Sequence, residues 1–232
     1  MTRMLAVDTS AGRGSVALYL DGDVIAEHND EARAHTRLLE PMMHRLLARA
    51  ELGLKAVDAL AYGRGPGSFT GLRIAAGFVQ GIAWGLDCPV VPVSSLAAMA
   101  LDGDRTGEPV RVVPALDARM GEVYWSGYDL DGQGGLKGLL DERLSSPEAL
   151  YLPEYGPDAA WVAVGTGWRY LDRMPQAVTR RLERIDPGFM PHAANVARLA
   201  VDPLLRGETV DAPQVQPVYI REDVGWQRHG SR

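Results

Sequence analysis

Gly63-Arg64-Gly65-Pro66-Gly67-Ser68-Phe69-Thr70-Gly71 sits between an apolar run that ends at Tyr62 and a helix-like run that continues to about Leu86. The stretch reads as a strand, a glycine turn and the start of a helix. Four glycines and a proline in nine residues require a backbone that turns tightly and admits a close neighbour. Two neighbours fit. A phosphate suits the N–H groups that a helix start leaves without internal partners. Alternatively, the small residues simply let strand and helix pack closely.

Upstream, Arg3 to Thr9 is a short apolar run closing on Asp8-Thr9-Ser10, and Gly14 to Leu20 alternates Val16, Leu18 and Leu20 as a strand does. Asp21-Gly22 is a hairpin dipeptide, and Asp23 to Asn29 returns as a third strand. From His35 to Glu51 the period changes: Leu38, Leu39, Met42, Leu46, Leu47 and Ala50 mark an amphipathic helix. Pro41 predicts a start near Leu39 or a bend. Val57 to Tyr62 is the fourth strand and Phe69 to Leu86 the second helix. That helix carries Gly77, Gly81 and Gly85 at four-residue spacing, each costing about 1 kcal/mol relative to alanine. The cost predicts a face that a second helix, from this chain or a partner, approaches unusually closely. Val90 to Val93 is a fifth, buried strand, and Ser94 to Met99 a short capped helix.

Downstream, the polar, turn-rich Asp102 to Pro109 marks a domain boundary. Val110 to Leu116, Val123 to Tyr128 and Gly135 to Leu140 read as strands, with Asp131 to Gly135 as a hairpin loop. Trp161 to Val164 is another apolar run, Tyr170 to Arg184 is weakly helical, and Ala193 to Leu205 is a clearer helix. The expected organisation is a first domain over 1–105 rejoined by a helix at 192–206, a smaller α/β domain over 106–191, and an extended tail over 207–232 that holds Tyr219 and Ile220.

Composition narrows the function classes. The chain has 232 residues, 46% of them hydrophobic, and no apolar run long enough to span a membrane. The opening Met1 to Asp8 meets a charge at once, unlike the apolar core of a signal peptide. A single cysteine, Cys88, excludes an intrachain disulfide framework and a cysteine-based metal site. The expected location is the cytoplasm. A formal charge of −6 argues against a surface that binds nucleic acid alone, so contact with RNA is expected to run through a partner.

Several chemistries fail on their residues. A phosphate loop needs a lysine that the glycine stretch lacks, and Ser68 has Pro66 and Thr70, not glycines, two residues away on either side, so it is no hydrolase elbow. His28, His35, His44, His192 and His229 form no i, i+3 or i, i+4 pair, and no metal site is expected. Asp8 is more suggestive. A carboxylate at a strand end, followed by Thr9, Ser10 and Gly12, can hold magnesium while the next turn meets phosphate oxygens. Asp117 ends the first strand of the second half in the same way, so two carboxylates could flank a cleft; equally, aspartates commonly cap turns.

Three strands, a helix, a strand, a glycine turn, a helix and a strand follow the order of the ribonuclease-H-like fold, which the actin, sugar-kinase and Hsp70 group uses twice. Within that α/β group the chain resembles the TsaB (YeaZ) family. The resemblance rests on Leu5 to Ser10, His35-Thr36, Ala61 to Gly71, Asp117-Ala118-Arg119-Met120-Gly121-Glu122-Val123-Tyr124, and Pro217-Val218-Tyr219-Ile220-Arg221. It implies two ribonuclease-H-like domains, the second reduced, and a non-catalytic partner of TsaD, with TsaE, in making threonylcarbamoyladenosine in tRNA. The catalytic relative TsaD has an H-x-x-x-H metal pair where this chain has Ser95 and Met99.

The resemblance further implies contact with TsaD, or a homodimer in its absence, through the first two helices. Leu39, Met42, Met43 and Leu46 on the first and Gly77, Phe78, Gly81 and Ile82 on the second are the expected interface. No cofactor of its own is expected, with ATP or ADP confined to the interface of the complex. Asp8, Thr9, Ser10, Gly67, Ser68 and Asp117 are the candidate remnant of a nucleotide or anion site. The alternatives are a stand-alone ATP-dependent phosphotransferase using Asp8 and Asp117, and a protease, for which no nucleophile, base or metal pair is in evidence.

Overall fold

The computed structural model describes residues 2–29, 35–103, 107–154 and 160–221. Strands β1 (Arg3–Asp8), β2 (Gly14–Leu20) and β3 (Asp23–Asn29) form an antiparallel meander, followed by helix α1 (His35–Arg49). β4 (Ala59–Gly65) leads through the glycine turn into α2 (Phe69–Leu86), and β5 (Val90–Ser94) into α3 (Ser95–Ala100). β4 pairs parallel to β1, and β5 parallel to β4, giving a sheet of order β3-β2-β1-β4-β5.

Because β1 is central and covered on both faces, it reads as a continuous apolar run, not an alternating one. Leu5 and Val7 point into a core shared with α1 and α2, while Met4 and Ala6 point into one shared with the later helix α5 (Ala193–Leu205). On the α5 side the strands contribute mostly alanine and valine. Small side chains there let the helix sit close to the sheet. α1 begins at His35, ahead of the start near Leu39 that Pro41 suggests, and carries Pro41 inside it on the exposed side.

The second sheet has the order β10-β9-β6-β7-β8. β6 (Val110–Arg119), β7 (Glu122–Leu130) and β8 (Leu136–Ser145) are an antiparallel meander, and β9 (Trp161–Val164) pairs parallel to β6. One face buries Trp125, Trp161 and Trp168; the other buries Val112, Leu116 and Tyr128 against Leu96, Met99 and Ala100 of α3. So α3 is the wedge between the two sheets. Tyr170 to Arg184, which reads as weakly helical, is instead the end of a run of tight turns, a four-residue helix α4 (Gln176–Thr179) and an edge strand β10 (Leu182–Asp186) parallel to β9. The five residues Leu182-Glu183-Arg184-Ile185-Asp186 do not alternate and are too short a run to mark a strand beside a helical neighbour. No helix among the described residues is long and apolar enough to cross a membrane.

Candidate functional site

The glycine turn is filled by the protein itself. A β-carbon at Gly67 would lie 2.2 Å from the carbonyl oxygen of Ser10, and one at Gly71 1.8 Å from that of Thr9. The Ser68 N–H donates to the Ser10 carbonyl at 2.7 Å, and the Thr9 hydroxyl donates to the Gly71 carbonyl at 2.6 Å. Gly65 has φ +115°, and a β-carbon there would lie 2.8 Å from the carbonyl of Val218. Thr9, Ser10, Gly67 and Ser68 do come together, but as a turn packed on the β1–β2 connection. Ser68 caps α2, its hydroxyl accepting from the Gly71 N–H at 3.3 Å. Of the two readings of this stretch, the geometry supports close packing.

Asp8 lies beneath that turn, fully buried. One carboxyl oxygen accepts from the Ser10 N–H at 3.0 Å and the Ser10 hydroxyl at 2.8 Å. The other has no hydrogen-bond partner among the described residues and lies against Gly63, where a β-carbon would come within 1.8 Å of it. Burial pushes the carboxyl up to about 6, against the opposing pull of the Ser10 hydrogen bonds. A carboxylate sealed in this way does not line an open cleft, which corrects the pairing of Asp8 with Asp117 across one.

Asp117 keeps different company. Its carboxylate accepts from the Arg119 N–H at 2.9 Å and the Tyr170 hydroxyl at 3.2 Å, and Arg169 lies 3.4 Å away. In the cleft between the sheets, Glu142 of β8 accepts from the Ser94 hydroxyl and from Arg64 at 3.3 Å, beside a cavity of about 500 Å³ that Tyr128 and Ile220 help line. Cation and carboxylate satisfy each other there. Ser95 and Met99 are buried core residues. Among the described residues no three of His, Cys, Asp and Glu are placed to hold a metal ion.

The helices require a larger correction. Leu39, Met42, Met43 and Leu46 are buried in the chain's own core, on a helix that packs over β2 and β3, so they are not a partner surface. Their i, i+3, i+4, i+7 spacing is the core-facing stripe of an amphipathic helix, and α1 presents Glu40, His44, Arg45 and Arg49 outward. On α2, Leu72, Ala75, Ala76, Val79 and Ala83 face inward, with Phe78 and Ile82 half-buried at the margin. Gly77, Gly81 and Gly85 face out, and a β-carbon at any of them would meet nothing within 4 Å.

Beside the glycines stands Trp84, 71% exposed. Sequence reading missed it, though its position three residues after Gly81 puts it on the glycine face. Also missed was Arg73, four residues before Gly77. Its guanidinium lies 3.8 Å over the Phe69 ring, and its Nε donates to the Tyr219 hydroxyl at 3.0 Å. The tail therefore docks on the first turn of α2.

Comparisons with known proteins agree with this geometry. A family model described as "TsaD: tRNA N6-adenosine threonylcarbamoyltransferase" matches residues 26–213. The Escherichia coli protein named "tRNA threonylcarbamoyladenosine biosynthesis protein TsaB" is 39% identical over 97% of this chain and 97% of its own length. The Haemophilus influenzae protein of the same name is 38% identical over 97% and 96%. The solved structure of YeaZ from Pseudomonas aeruginosa superposes with a TM-score of 0.87 at 44% identity, covering 94% of this chain and all of that one. With this identity sustained over nearly the whole length, the chain belongs to the TsaB (YeaZ) family.

Proposed function

We propose that this chain is a non-catalytic subunit that supports TsaD, with TsaE, in transferring a threonylcarbamoyl group from threonylcarbamoyl-adenylate to N6 of adenosine 37 in tRNAs that read codons starting with A. The name its relatives carry points to this pathway. The observation that carries the reading is the outer face of α2. Three exposed glycines in one helix cost about 1 kcal/mol each relative to alanine, and nothing among the described residues packs on them to offset it. A helix of TsaD seated on Gly77, Gly81 and Gly85, with Trp84 as its anchor, supplies what is lacking. The same face would pair two copies of the chain when TsaD is absent.

On this reading the chain holds no cofactor of its own, ATP or ADP sits at the interface of the complex, and tRNA is met through TsaD. The buried Asp8 and the arginine-bound Asp117 suit a fold that no longer binds nucleotide in its cleft. Reconstitution tests the proposal. TsaD, TsaE, threonylcarbamoyl-adenylate and unmodified tRNA should yield modified adenosine only when this chain is added, and its Gly81→Arg variant should not substitute. Full modification without the chain would sink the reading. Magnesium-dependent ATP turnover by the chain alone, abolished in Asp8→Asn, would instead favour the phosphotransferase alternative.

A further inference from the structure

The row Phe69, Arg73, Gly77, Gly81 and Gly85 follows i, i+4 spacing along one line of α2, and the line does not stop at the helix. Tyr219 of the tail packs on Phe69 in a tilted pair with ring centroids 5.4 Å apart, and the Val218 N–H donates to the Arg64 carbonyl at 2.8 Å. The tail then crosses to the second sheet. There Arg221 donates to the Ala118 carbonyl at 3.2 Å, pairs with Glu122 at 2.6 Å and lies 3.4 Å from the Met120 sulfur. Of the seven large apolar side chains exposed among the described residues, five lie along this course: Trp84, Phe69, Val218, Tyr219 and Met120. A gathering of that kind marks an interaction surface.

Its far end is the β6–β7 hairpin tip, where Arg119, Met120 and Gly121 all have positive φ, at 65°, 55° and 76°. Arg119 pairs with Glu122, so Met120 and Gly121 are the two central residues of the turn, positions at which asparagine and glycine are favoured. Methionine is a poor choice there for folding, and it stands 86% exposed. Beside it the side chains of Arg119 and Arg169, 84% and 61% exposed, share the single carboxylate of Asp117. The tip thus presents an apolar knob beside a net positive charge, braced from behind by Arg221.

We propose that the partner surface of this chain is one continuous strip, running from the glycine face of α2 over the docked tail to the Arg119-Met120 tip. At the tip it takes an apolar pocket rimmed by carboxylates on the same partner. The proposal rests on the reading of TsaD as that partner. A protein fits better than RNA, because the exposed residues along the strip are mostly glycine and large apolar side chains and the chain is acidic overall.

The test measures binding of purified TsaD from the same organism to the full chain and to three variants: Gly81→Arg, Met120→Asn and Arg119→Glu. Met120→Asn is expected to raise the chain's own unfolding midpoint, since asparagine suits the turn, while weakening TsaD binding at least about tenfold. Arg119→Glu should weaken it comparably with an unchanged circular dichroism spectrum, and Gly81→Arg should abolish it. If Gly81→Arg abolishes binding and both tip variants bind within about twofold of wild type, the extension to the tip is wrong and the α2 reading stands. Loss at the tip with Gly81→Arg unaffected would break the continuous strip and the α2 reading together. No binding of TsaD by the unaltered chain, or binding by all three variants as tight as by the unaltered chain, would overturn both.

Discussion

α1 and α2 lie on the same face of one sheet and share one core, yet their outer surfaces differ in kind. α1 sinks Leu39, Met42, Met43, Leu46 and Leu47 into that core and shows charged side chains to the outside. α2 buries smaller residues and turns Gly77, Gly81, Gly85 and Trp84 outward. A helix with a charged outer face has completed its packing within the chain. One with glycine and tryptophan outside carries a loss of helix stability that only a further contact offsets. The apolar spacing that identifies α1 as a helix is therefore evidence about its core, whereas the costly residues of α2 are evidence about a partner.

The largest effect that separates the helices is on the α1 side. Leu46→Ala should destabilise the chain by about 2–5 kcal/mol in urea unfolding, because Leu46 is fully buried, while the folded fraction binds TsaD as before. A loss below about 1 kcal/mol would place Leu46 outside a tightly packed core, and the contrast between the helices would collapse.

A smaller effect is expected at Asp8, beneath the turn that launches α2. Its carboxyl sits near 6 in the folded chain against 3.8 as the ordinary value, raised by burial. The native state thus holds this proton more tightly than the unfolded state. The resulting stability is fully present below the unfolded value and is lost as pH rises through the folded one. Asp8→Asn should therefore gain on wild type by up to about 3 kcal/mol between pH 4 and pH 7. Paired denaturation curves across that window check it. A pH-independent difference would mean that the carboxyl is not sealed under the turn.

The smallest effects are on α2 itself. Gly77→Ala or Gly81→Ala should stabilise the isolated chain by about 0.5–1 kcal/mol each, since the added methyl meets nothing within 4 Å, and should at the same time weaken the TsaD complex. Destabilisation of the isolated chain would show that these positions are packed already.

Much of this was legible in the residues. The five strands and three helices of the first half follow from apolar runs, alternation, helical spacing and a serine cap, and the turn from its glycines, because these are local properties of the backbone. Family membership was legible as well, since its motifs recur along nearly the whole chain. The faces of α1 were less so: Met42 and Leu46 suit an interface as well as a core, and choosing between them needs the position of the sheet. In sequence Asp8 and Asp117 both close an apolar run, yet Asp8 ends β1 buried under Gly63, while Asp117 lies within β6 and is bound by arginines. β10 went unread because five residues at a sheet edge take their strand conformation from β9 more than from their own pattern.

By itself the sequence determined the element order, the tight turn at Gly63 to Gly71 and the unusual cost of the second helix. Dihedral preferences, hydrophobic period and helix propensity act over a few residues and need no distant partner. Only the tertiary structure decided that the turn is filled by Ser10 and Thr9, that the glycines of α2 face outward, and that the tail joins Phe69 to Met120. Each of those depends on which atoms, far apart along the chain, come within van der Waals or hydrogen-bond distance, and close packing settles that for the whole chain at once.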